Sequence, residues 1–363
     1  MSRFFQIYIV PAAVFISVVM GGGYGTGREV IEFFTQYGLL GGVFGIGVAA
    51  CLFSLVLVCT YEFARVFNVY DYKSFFSQLI GPFWVVFELL YLLLFFLVLG
   101  VVGAAAGNIL SEQFGLSSVV GMAAILLLVV GLVYFGRETV EKVLTFWSFG
   151  MYVIFVIYFV QVVLGSDIRL YESLTTGTLV PGWLTGGAMY AMYNLAIAPV
   201  LLFSTRAIVS RAQAIKAGCI SGVLVMVPAL LFHMSYAVGF PDVLNEPVPN
   251  YWMIAHFASP WLLAIFLVAL LGTLIETGAG LVQGLIERVQ SVVHKGGDEP
   301  LNHSMRVVIS FVTLSIGGLL STFGIIDLIA KGYAALSVGF ALVYILPICT
   351  LGIFKIFRHK GAA

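Results

Sequence analysis

Long apolar runs separated by short polar segments make up most of this chain. Windows of about 20 apolar residues, the length of a helix that crosses a hydrocarbon layer of roughly 30 Å, occur ten times along it. The ten predicted spans are 5–37, 39–66, 82–110, 117–136, 138–164, 183–206, 211–239, 259–291, 305–323 and 325–356. The pattern therefore predicts an all-α membrane protein with ten transmembrane helices.

Glycines interrupt the first predicted span halfway along its length. Five of the seven residues from Gly21 to Gly27 are glycine, and each lowers helix stability by roughly 1 kcal/mol relative to alanine. Non-helical backbone at membrane depth is tolerated where it is buried in protein or lines a cavity. We therefore predict a discontinuous span with a small solute at the break, followed by a half-helix that Arg28, Glu29 and Glu32 open.

The sixth predicted span repeats this pattern. Gly186 and Gly187 precede Pro199, which removes a backbone donor and breaks the helical ladder, so we expect the stretch Tyr193 to Pro199 to be unwound. Interrupted spans at corresponding positions of two halves are typical of inverted-repeat transporters with a midplane site. Residues 1–165 and 166–363 are therefore predicted as two five-helix repeats of one membrane domain. Because five is odd, the repeats have opposite topology.

Composition and charge support a membrane protein and orient it. Hydrophobic residues are 61% of the chain and charged residues 9%, which excludes a soluble globular domain, where about 25% charged residues is usual. With a cytoplasmic N-terminus, 14 of the 17 Lys and Arg residues lie on the cytoplasmic side, all except Arg28, Arg169 and Lys331. The positive-inside rule thus predicts that both termini are cytoplasmic.

A carboxylate in the middle of span 8 is a candidate for ion coupling. A charge at the centre of a transmembrane helix costs about 3 kcal/mol, so Glu276 should face the protein interior. Thr273 and Thr277 are one helical turn apart, with Glu276 beside both. Two hydroxyls and a carboxylate, completed by carbonyls of the broken span near Gly22, are ligands for a hard cation such as Na+. The alternative is a protonated Glu276 that is hydrogen-bonded within the bundle.

Span 10 offers a second charged pair. Asp327 and Lys331 are spaced i and i+4, within two turns of the predicted outer end. They form either a structural intrahelical pair or, together with Arg28 and Glu29, an outer gate. The sequence leaves both interpretations open.

The run from Gly21 to Phe34, GGGYGTGREVIEFF, followed by Tyr37 and Gly38, resembles the first-span signature of bacterial YkvI-type membrane proteins. These are similar to compact members of the amino acid, polyamine and organocation superfamily, with the LeuT fold of ten spans in two inverted repeats. The resemblance implies a secondary transporter in the bacterial cytoplasmic membrane that works by alternating access. In sodium-coupled relatives, span 1 carbonyls and small polar groups of span 8 hold a sodium ion. The matching stretch here is Thr273 to Thr277, where Glu276 replaces a hydroxyl and leaves room for a proton.

These observations predict a cation-coupled symporter for a small amino acid or amine, with Na+ or H+ as the coupling ion and no organic cofactor. The predicted substrate-binding residues are Gly23, Tyr24, Gly25, Thr26, Gly27, Tyr190, Tyr193, Asn194 and Ala196. Half-helix N-termini at Gly25 to Gly27 would hold a carboxylate, whereas Glu29 and Glu276 equally suit a cationic amine.

Two alternatives remain, a non-transporting ligand sensor and a proton-coupled carrier of another small polar metabolite. No span contains an HExxH motif or paired aspartates, so we do not expect an enzyme. The expected partners are the small solute and the lipid bilayer, not nucleic acid.

Overall fold

The computed structural model describes residues 3–19, 22–134, 153–164, 179–293 and 302–359, and within these ranges it contains helices and no β-strand. The first half of predicted span 5 and most of the connection between predicted spans 5 and 6 lie outside the described residues. In chain order the helices are α1 Phe5–Val19, α2 Gly22–Thr26, α3 Arg28–Phe33, α4 Leu39–Phe67, α5 Tyr72–Ile80, α6 Trp84–Phe114, α7 Ser118–Tyr134, α8 Val153–Val163, α9 Trp183–Leu195, α10 Ala198–Thr205, α11 Arg211–Leu224, α12 Val227–Tyr236, α13 Pro249–Phe257, α14 Pro260–Val293, α15 His303–Ser321 and α16 Ile325–Arg358.

The prediction of an all-α protein with many spans is confirmed. In the described part of the chain, six helical stretches are long and apolar enough to cross a membrane, and the bent pair of α9 and α10 makes a seventh. The helices α1, α7 and α8 are apolar but shorter. The count of ten spans stays a prediction.

Small residues allow the central helices to approach one another closely. Helix α4 packs against both α9 and α11. A Cβ added to Gly187 of α9 would collide with the carbonyl group of Gly45 on α4, and one added to Gly222 of α11 would collide with the backbone of Ser54. Glycine at these contacts therefore lets backbones touch, as is common between membrane helices.

Span 7 contains an interruption that the apolar pattern did not predict. A turn at Val225 and Met226 separates α11 from α12 within one continuous span. Pro228, the second residue of α12, has no N–H with which to continue the helical ladder. A proline inside an apolar run is the same feature that predicts the break at Pro199 in span 6, so Pro228 could have predicted this break too.

The connection between α12 and α14, which the positive-inside rule predicts to lie on the outer side and which we therefore call the outer connection, is a folded element. Three prolines, at positions 241, 247 and 249, and the run 251–257 after them predict a loop with one short helix. The structure has a short turn, Asp242–Asn245, and the helix α13, Pro249–Phe257. Helix α13 packs against α2, α3 and α14. This connection therefore lies directly over the interrupted part of the first span.

Candidate functional site

The first span is interrupted at Gly27. Helix α2 ends at Thr26, Gly27 has a left-handed backbone with φ of 81°, and α3 begins at Arg28. A side chain at position 27 would be strained at this φ, and its Cβ would collide with the hydroxyl group of Tyr236. Glycine is therefore required at the break.

The extent of this break corrects our expectation. The segment Gly22–Thr26, which we expected to be unwound, is helical, and the N–H of Gly27 still bonds the carbonyl of Gly23 at 3.1 Å. A buried backbone N–H or C=O group that lacks a hydrogen bond costs several kcal/mol at membrane depth. This cost is larger than the roughly 1 kcal/mol by which a glycine disfavours a helix, so the segment stays helical. The described break is therefore a kink at one residue. Met20 and Gly21 lie outside the described residues.

A side chain of the outer connection pairs the carbonyl groups next to this kink. The Nδ2 atom of Asn250 donates to the carbonyls of Tyr24, at 2.7 Å, and Gly25, at 3.2 Å. The hydroxyl of Tyr236 donates in turn to Oδ1 of Asn250 at 2.6 Å, and both side chains are fully buried. The sequence analysis missed these two residues. The signal that could have indicated Asn250 is an amide side chain beside a proline at the start of the predicted loop helix.

The sixth span is broken as well. Helices α9 and α10 are bent by 61° relative to each other, with Ala196 and Ile197 between them. The N–H groups of both residues bond carbonyls three residues back at 3.2 Å, which makes a tight turn. The break is confirmed, but it is shorter than the predicted stretch Tyr193 to Pro199. After this two-residue turn the chain continues as α10, a 3-10 helix that has Pro199 in its first turn, where the missing N–H costs no helical hydrogen bond.

Two phenol groups of α9 bridge the broken spans. The hydroxyl of Tyr190 donates to the hydroxyl of Tyr24 at 2.7 Å. The hydroxyl of Tyr193 donates to Oε2 of Glu29 at 2.6 Å, and Glu29 is only 5% exposed. The structure thus brings together three of the predicted substrate-binding residues. It places Glu29, predicted as a gate residue, among them.

Aromatic rings and one glycine complete the surroundings of Glu29. The ring centroid of Tyr333, from α16, lies 4.6 Å from that of Tyr193. The ring centroid of Phe33, from α3, lies 5.5 Å from that of Tyr193. A Cβ on Gly23 would collide with the carboxylate of Glu29. The sequence analysis missed Tyr333 because an aromatic residue in an apolar span carries no signal of which neighbour it faces.

Other predicted site residues pair the local backbone. The hydroxyl of Thr26 donates to the carbonyl of Gly23 at 3.0 Å and accepts from the N–H of Arg28 at 3.3 Å. The Nδ2 atom of Asn194 donates to the carbonyl of Tyr190 at 3.1 Å. Within Gly25 to Gly27, the segment that we expected to hold a substrate carboxylate, the N–H of Gly27 is already paired with the carbonyl of Gly23.

Arg28 fixes the outer connection onto α3. Its Nη1 atom donates to the carbonyls of Leu244, at 2.7 Å, and Glu246, at 3.2 Å, and its Nη2 atom pairs with Glu32 at 3.0 Å. In this connection burial raises the pKa of the Glu246 carboxyl group, against a smaller lowering by His256. The docked connection thus favours the neutral form of Glu246 more than water does.

The two halves of the predicted outer gate, Arg28 with Glu29 and Asp327 with Lys331, make no hydrogen bond or ion pair with each other in the described part of the chain. Lys331 pairs with Asp327 at 2.8 Å along α16, and their side chains are 80% and 55% exposed. Arg28, the proposed partner of Asp327, is directed to the outer connection instead. Of the two interpretations that the sequence left open for span 10, the structure shows the intrahelical pair.

Helix α14 lies against the broken part of span 1 with the predicted ion-coupling residues. A Cβ on Gly25 would lie 3.8 Å from Cγ2 of Thr273. Thr273 is buried, its hydroxyl donates to the carbonyl of Ala269 at 3.0 Å, and Glu276 and Thr277 follow as half-buried residues. No group of three His, Cys, Asp or Glu side chains able to hold a metal occurs among the described residues. The assignment of Thr273, Glu276 and Thr277 to ion coupling stays a prediction.

Comparison with known proteins supports the resemblance given by the first-span motif. No family model matches the chain. The "Uncharacterized membrane protein YkvI" of Bacillus subtilis (strain 168) is 28% identical over 290 residues, which are 77% of this chain and 80% of that protein. The resemblance to YkvI-type membrane proteins is therefore confirmed.

Two solved structures with a similar fold are those of transporters. A manganese transporter of Eremococcus coleocola, in complex with an aromatic bis-isothiourea substituted compound, gives a TM-score of 0.55 at 14% identity, covering 94% of this chain and 78% of that one. A Na+-coupled sialic acid symporter in a substrate-bound outward-open state gives 0.50 at 11% identity, covering 94% and 86%. At these identities the similarity shows the fold alone, a multi-span LeuT-like fold. These proteins are membrane transporters and not enzymes.

Proposed function

We propose that the protein is a secondary active transporter that carries a small amino acid or amine by alternating access, in symport with Na+ or H+. The observation that carries this proposal is the meeting of two broken spans around a buried carboxylate. The kink at Gly27 and the 61° bend of span 6 are bridged through the hydroxyls of Tyr190 and Tyr193. Broken helices that cross at the centre of a membrane domain are the usual construction of a transport site.

The lining of this site suits a small polar solute. The phenol groups of Tyr24, Tyr190 and Tyr193 can each donate and accept a hydrogen bond. All three side chains are buried between the two broken spans. A solute that carries both an ammonium and a carboxylate group would find partners of both kinds there.

The outer connection acts in this proposal as the lid of the site. Arg28 binds two of its carbonyl groups, and its Asn250 binds two carbonyls of the broken span. These contacts describe an arrangement that is closed toward the outside. Solute entry from that side would require them to break, which makes them differential contacts between the two states of an alternating-access cycle.

Coupling would be carried by α14. We propose that Glu276, with Thr273, Thr277 and the carbonyl oxygens near Gly22, holds the coupling cation. The proximity of Thr273 to Gly25 supports this assignment. In the same proposal the ten spans form two inverted repeats, 1–165 and 166–363, in the bacterial cytoplasmic membrane.

The test is flux in proteoliposomes made with the purified full chain. Uptake of labelled amino acids and amines would be followed under an inward Na+ gradient, an inward H+ gradient and no gradient, with protein-free liposomes as the control. We expect accumulation that one gradient drives and that an ionophore for that ion abolishes. Ligand binding without flux under any condition would instead identify the chain as a sensor.

The variant Glu276→Gln separates coupling from binding. We expect it to lose gradient-driven accumulation, at least about tenfold, because the coupling charge is removed. Exchange of labelled for unlabelled solute, which needs no gradient, should persist. Full gradient-driven accumulation by this variant would contradict the assignment of Glu276.

A further inference from the structure

Glu29 is a buried carboxylate whose contacts include no cationic side chain within the described residues. It is 5% exposed, and its one hydrogen bond there comes from Tyr193 to Oε2, at 2.6 Å. The other oxygen, Oε1, lies against Gly23, where any side chain would collide with it. Glu29 is therefore buried in the protein interior and is not a gate residue at the surface.

The cationic side chains on the elements packed against α3 are directed elsewhere. Arg28 binds the outer connection. Lys331, on α16, is exposed and paired with Asp327. His233, on α12, is hydrogen-bonded through both ring nitrogens, one of them to the carbonyl of Leu39 at 2.8 Å. None of these groups therefore serves as the counter-charge of Glu29 in this arrangement.

The titratable groups that face Glu29 are phenols. They come from three elements and are Tyr24 on α2, Tyr190 and Tyr193 on α9, and Tyr333 on α16. On α13, His256 is exposed and hydrogen-bonded to its own helix. Phenols are neutral at physiological pH, so they supply hydrogen bonds and ring faces but no positive charge. An ionised carboxylate buried in such a site needs a bound cation or a proton to neutralise it.

We propose that the Glu29 carboxylate binds, in turn, a proton and the ammonium group of the substrate, and that the substrate is therefore an organic amine. This inference rests on the proposed function and names its substrate class. The symported ion stays at Glu276, and the proton on Glu29 is a separate one that exchanges with the amine. Because one carboxylate cannot hold both cations, binding of the amine releases the proton from Oε1 or Oε2 of Glu29 to water. The amine nitrogen then makes a charge-assisted hydrogen bond in the place of the proton.

The surroundings of Glu29 favour an ammonium group over a metal ion. Ring faces of tyrosine attract organic cations, and a carboxylate beside several such rings is a common construction for amine recognition. A divalent metal requires more oxygen or nitrogen ligands than this site provides, since the described residues contain no cluster of three His, Cys, Asp or Glu side chains. The manganese cargo of the structurally similar transporter is therefore not expected here.

Calorimetric titration of the purified full chain in detergent tests this inference. The probes are ethylamine, isoamylamine and phenethylamine, each compared with the alcohol of the same carbon skeleton and with alanine, leucine or phenylalanine. Titrations in buffers of different ionisation enthalpy, at about pH 6 and about pH 8, count the protons released. We expect at least one amine to bind about tenfold or more tightly than its alcohol. At about pH 6, binding of this amine should release about one proton. Its affinity should fall by up to about tenfold for each unit of pH lowered.

Two variants of Glu29 and one matched control assign the proton to this residue. Glu29→Gln, which keeps the shape of the side chain, should lose at least about tenfold in amine affinity and release no proton. Glu29→Asp keeps a carboxylate and should retain proton release with weaker binding. Asp242→Asn removes an exposed carboxylate of the outer connection and should behave as the wild type.

Three results would overturn the inference. The first is a folded Glu29→Gln protein that binds phenethylamine with unchanged affinity and proton release. The second is a wild-type protein that binds none of the three amines at either pH, and the third is amine binding without proton release in the wild type. The last two do not depend on the folding of any variant. Gradient-driven flux of another solute in proteoliposomes would then leave the transporter proposal standing, whereas loss of all flux would remove both.

Discussion

Asn250 satisfies two carbonyl groups that the kink of span 1 would otherwise leave unpaired. Its Nδ2 atom binds the carbonyls of Tyr24 and Gly25, and its Oδ1 atom accepts from Tyr236. At membrane depth such groups have no water to turn to, so a single amide side chain makes the interruption tolerable. The stability of the broken span therefore depends on a residue of another element.

Replacement of this side chain should be costly. We expect Asn250→Ala to lower the free energy of unfolding by roughly 1–3 kcal/mol, because buried partners lose their hydrogen bonds. Thermal denaturation of the detergent-purified protein would show this as a lower midpoint. Asn245→Ala, at an exposed position of the same connection, is the matched control and should leave the midpoint unchanged. Equal midpoints for the two variants would mean that the Asn250 contacts contribute no net stability.

At the residue scale, the sequence predicts the members of the site better than their partners. Tyr24 and Glu29 stand out because they lie in or next to the glycine-rich stretch of an apolar run, and Tyr193 because it lies between Gly186–Gly187 and Pro199. Asn250 could not be identified in this way, since it lies 226 positions from Tyr24 along the chain and only the packing of the outer connection brings the two together. Pairing over such a distance is a property of the fold, not of a local pattern.

At the element scale, proline and glycine predict that a helix breaks but not how far the break extends. Pro199 correctly indicates the bend in span 6, yet α9 continues to Leu195 because backbone hydrogen bonds persist wherever a donor is present. Pro228 gives the same signal in span 7, where the turn at Val225 and Met226 was not predicted. Where a break ends depends on two opposing terms, the low helix propensity of glycine and proline and the cost of leaving buried backbone N–H and C=O groups unpaired. The sequence pattern does not give the balance between these two terms.

The docking of the outer connection as an element is expected to depend on Arg28. We predict that Arg28→Gln raises the hydrogen–deuterium exchange rate of the segment 243–257 by about tenfold or more, because two hydrogen bonds to Leu244 and Glu246 and the pair with Glu32 are lost. Lys331→Gln is the matched control, since it removes an exposed cation from a pair within one helix. Unchanged exchange in Arg28→Gln would show that α13 alone holds the connection in place.

At the scale of the whole molecule, the fold class follows from composition and periodicity, and the orientation follows from charge. The apolar pattern alone indicated a multi-span helical protein, which the helices and the structural similarity to transporters support. Orientation is a separate inference. It uses the distribution of Lys and Arg between the two sides, which reflects how the chain is inserted and not how its helices pack.

This orientation predicts which surfaces reagents can reach from each side of the cell membrane. Asp242 and Ala212 are exposed positions at opposite ends of span 7, and Ala212 lies between Arg206 and Lys216 on the predicted cytoplasmic side. In a background without the four native cysteines, we expect Asp242→Cys to react with an impermeant maleimide in intact cells, and Ala212→Cys only after permeabilisation. Because consecutive spans cross the membrane in alternating directions, the reverse pattern would invert the whole assignment and place the docked outer connection on the cytoplasmic side.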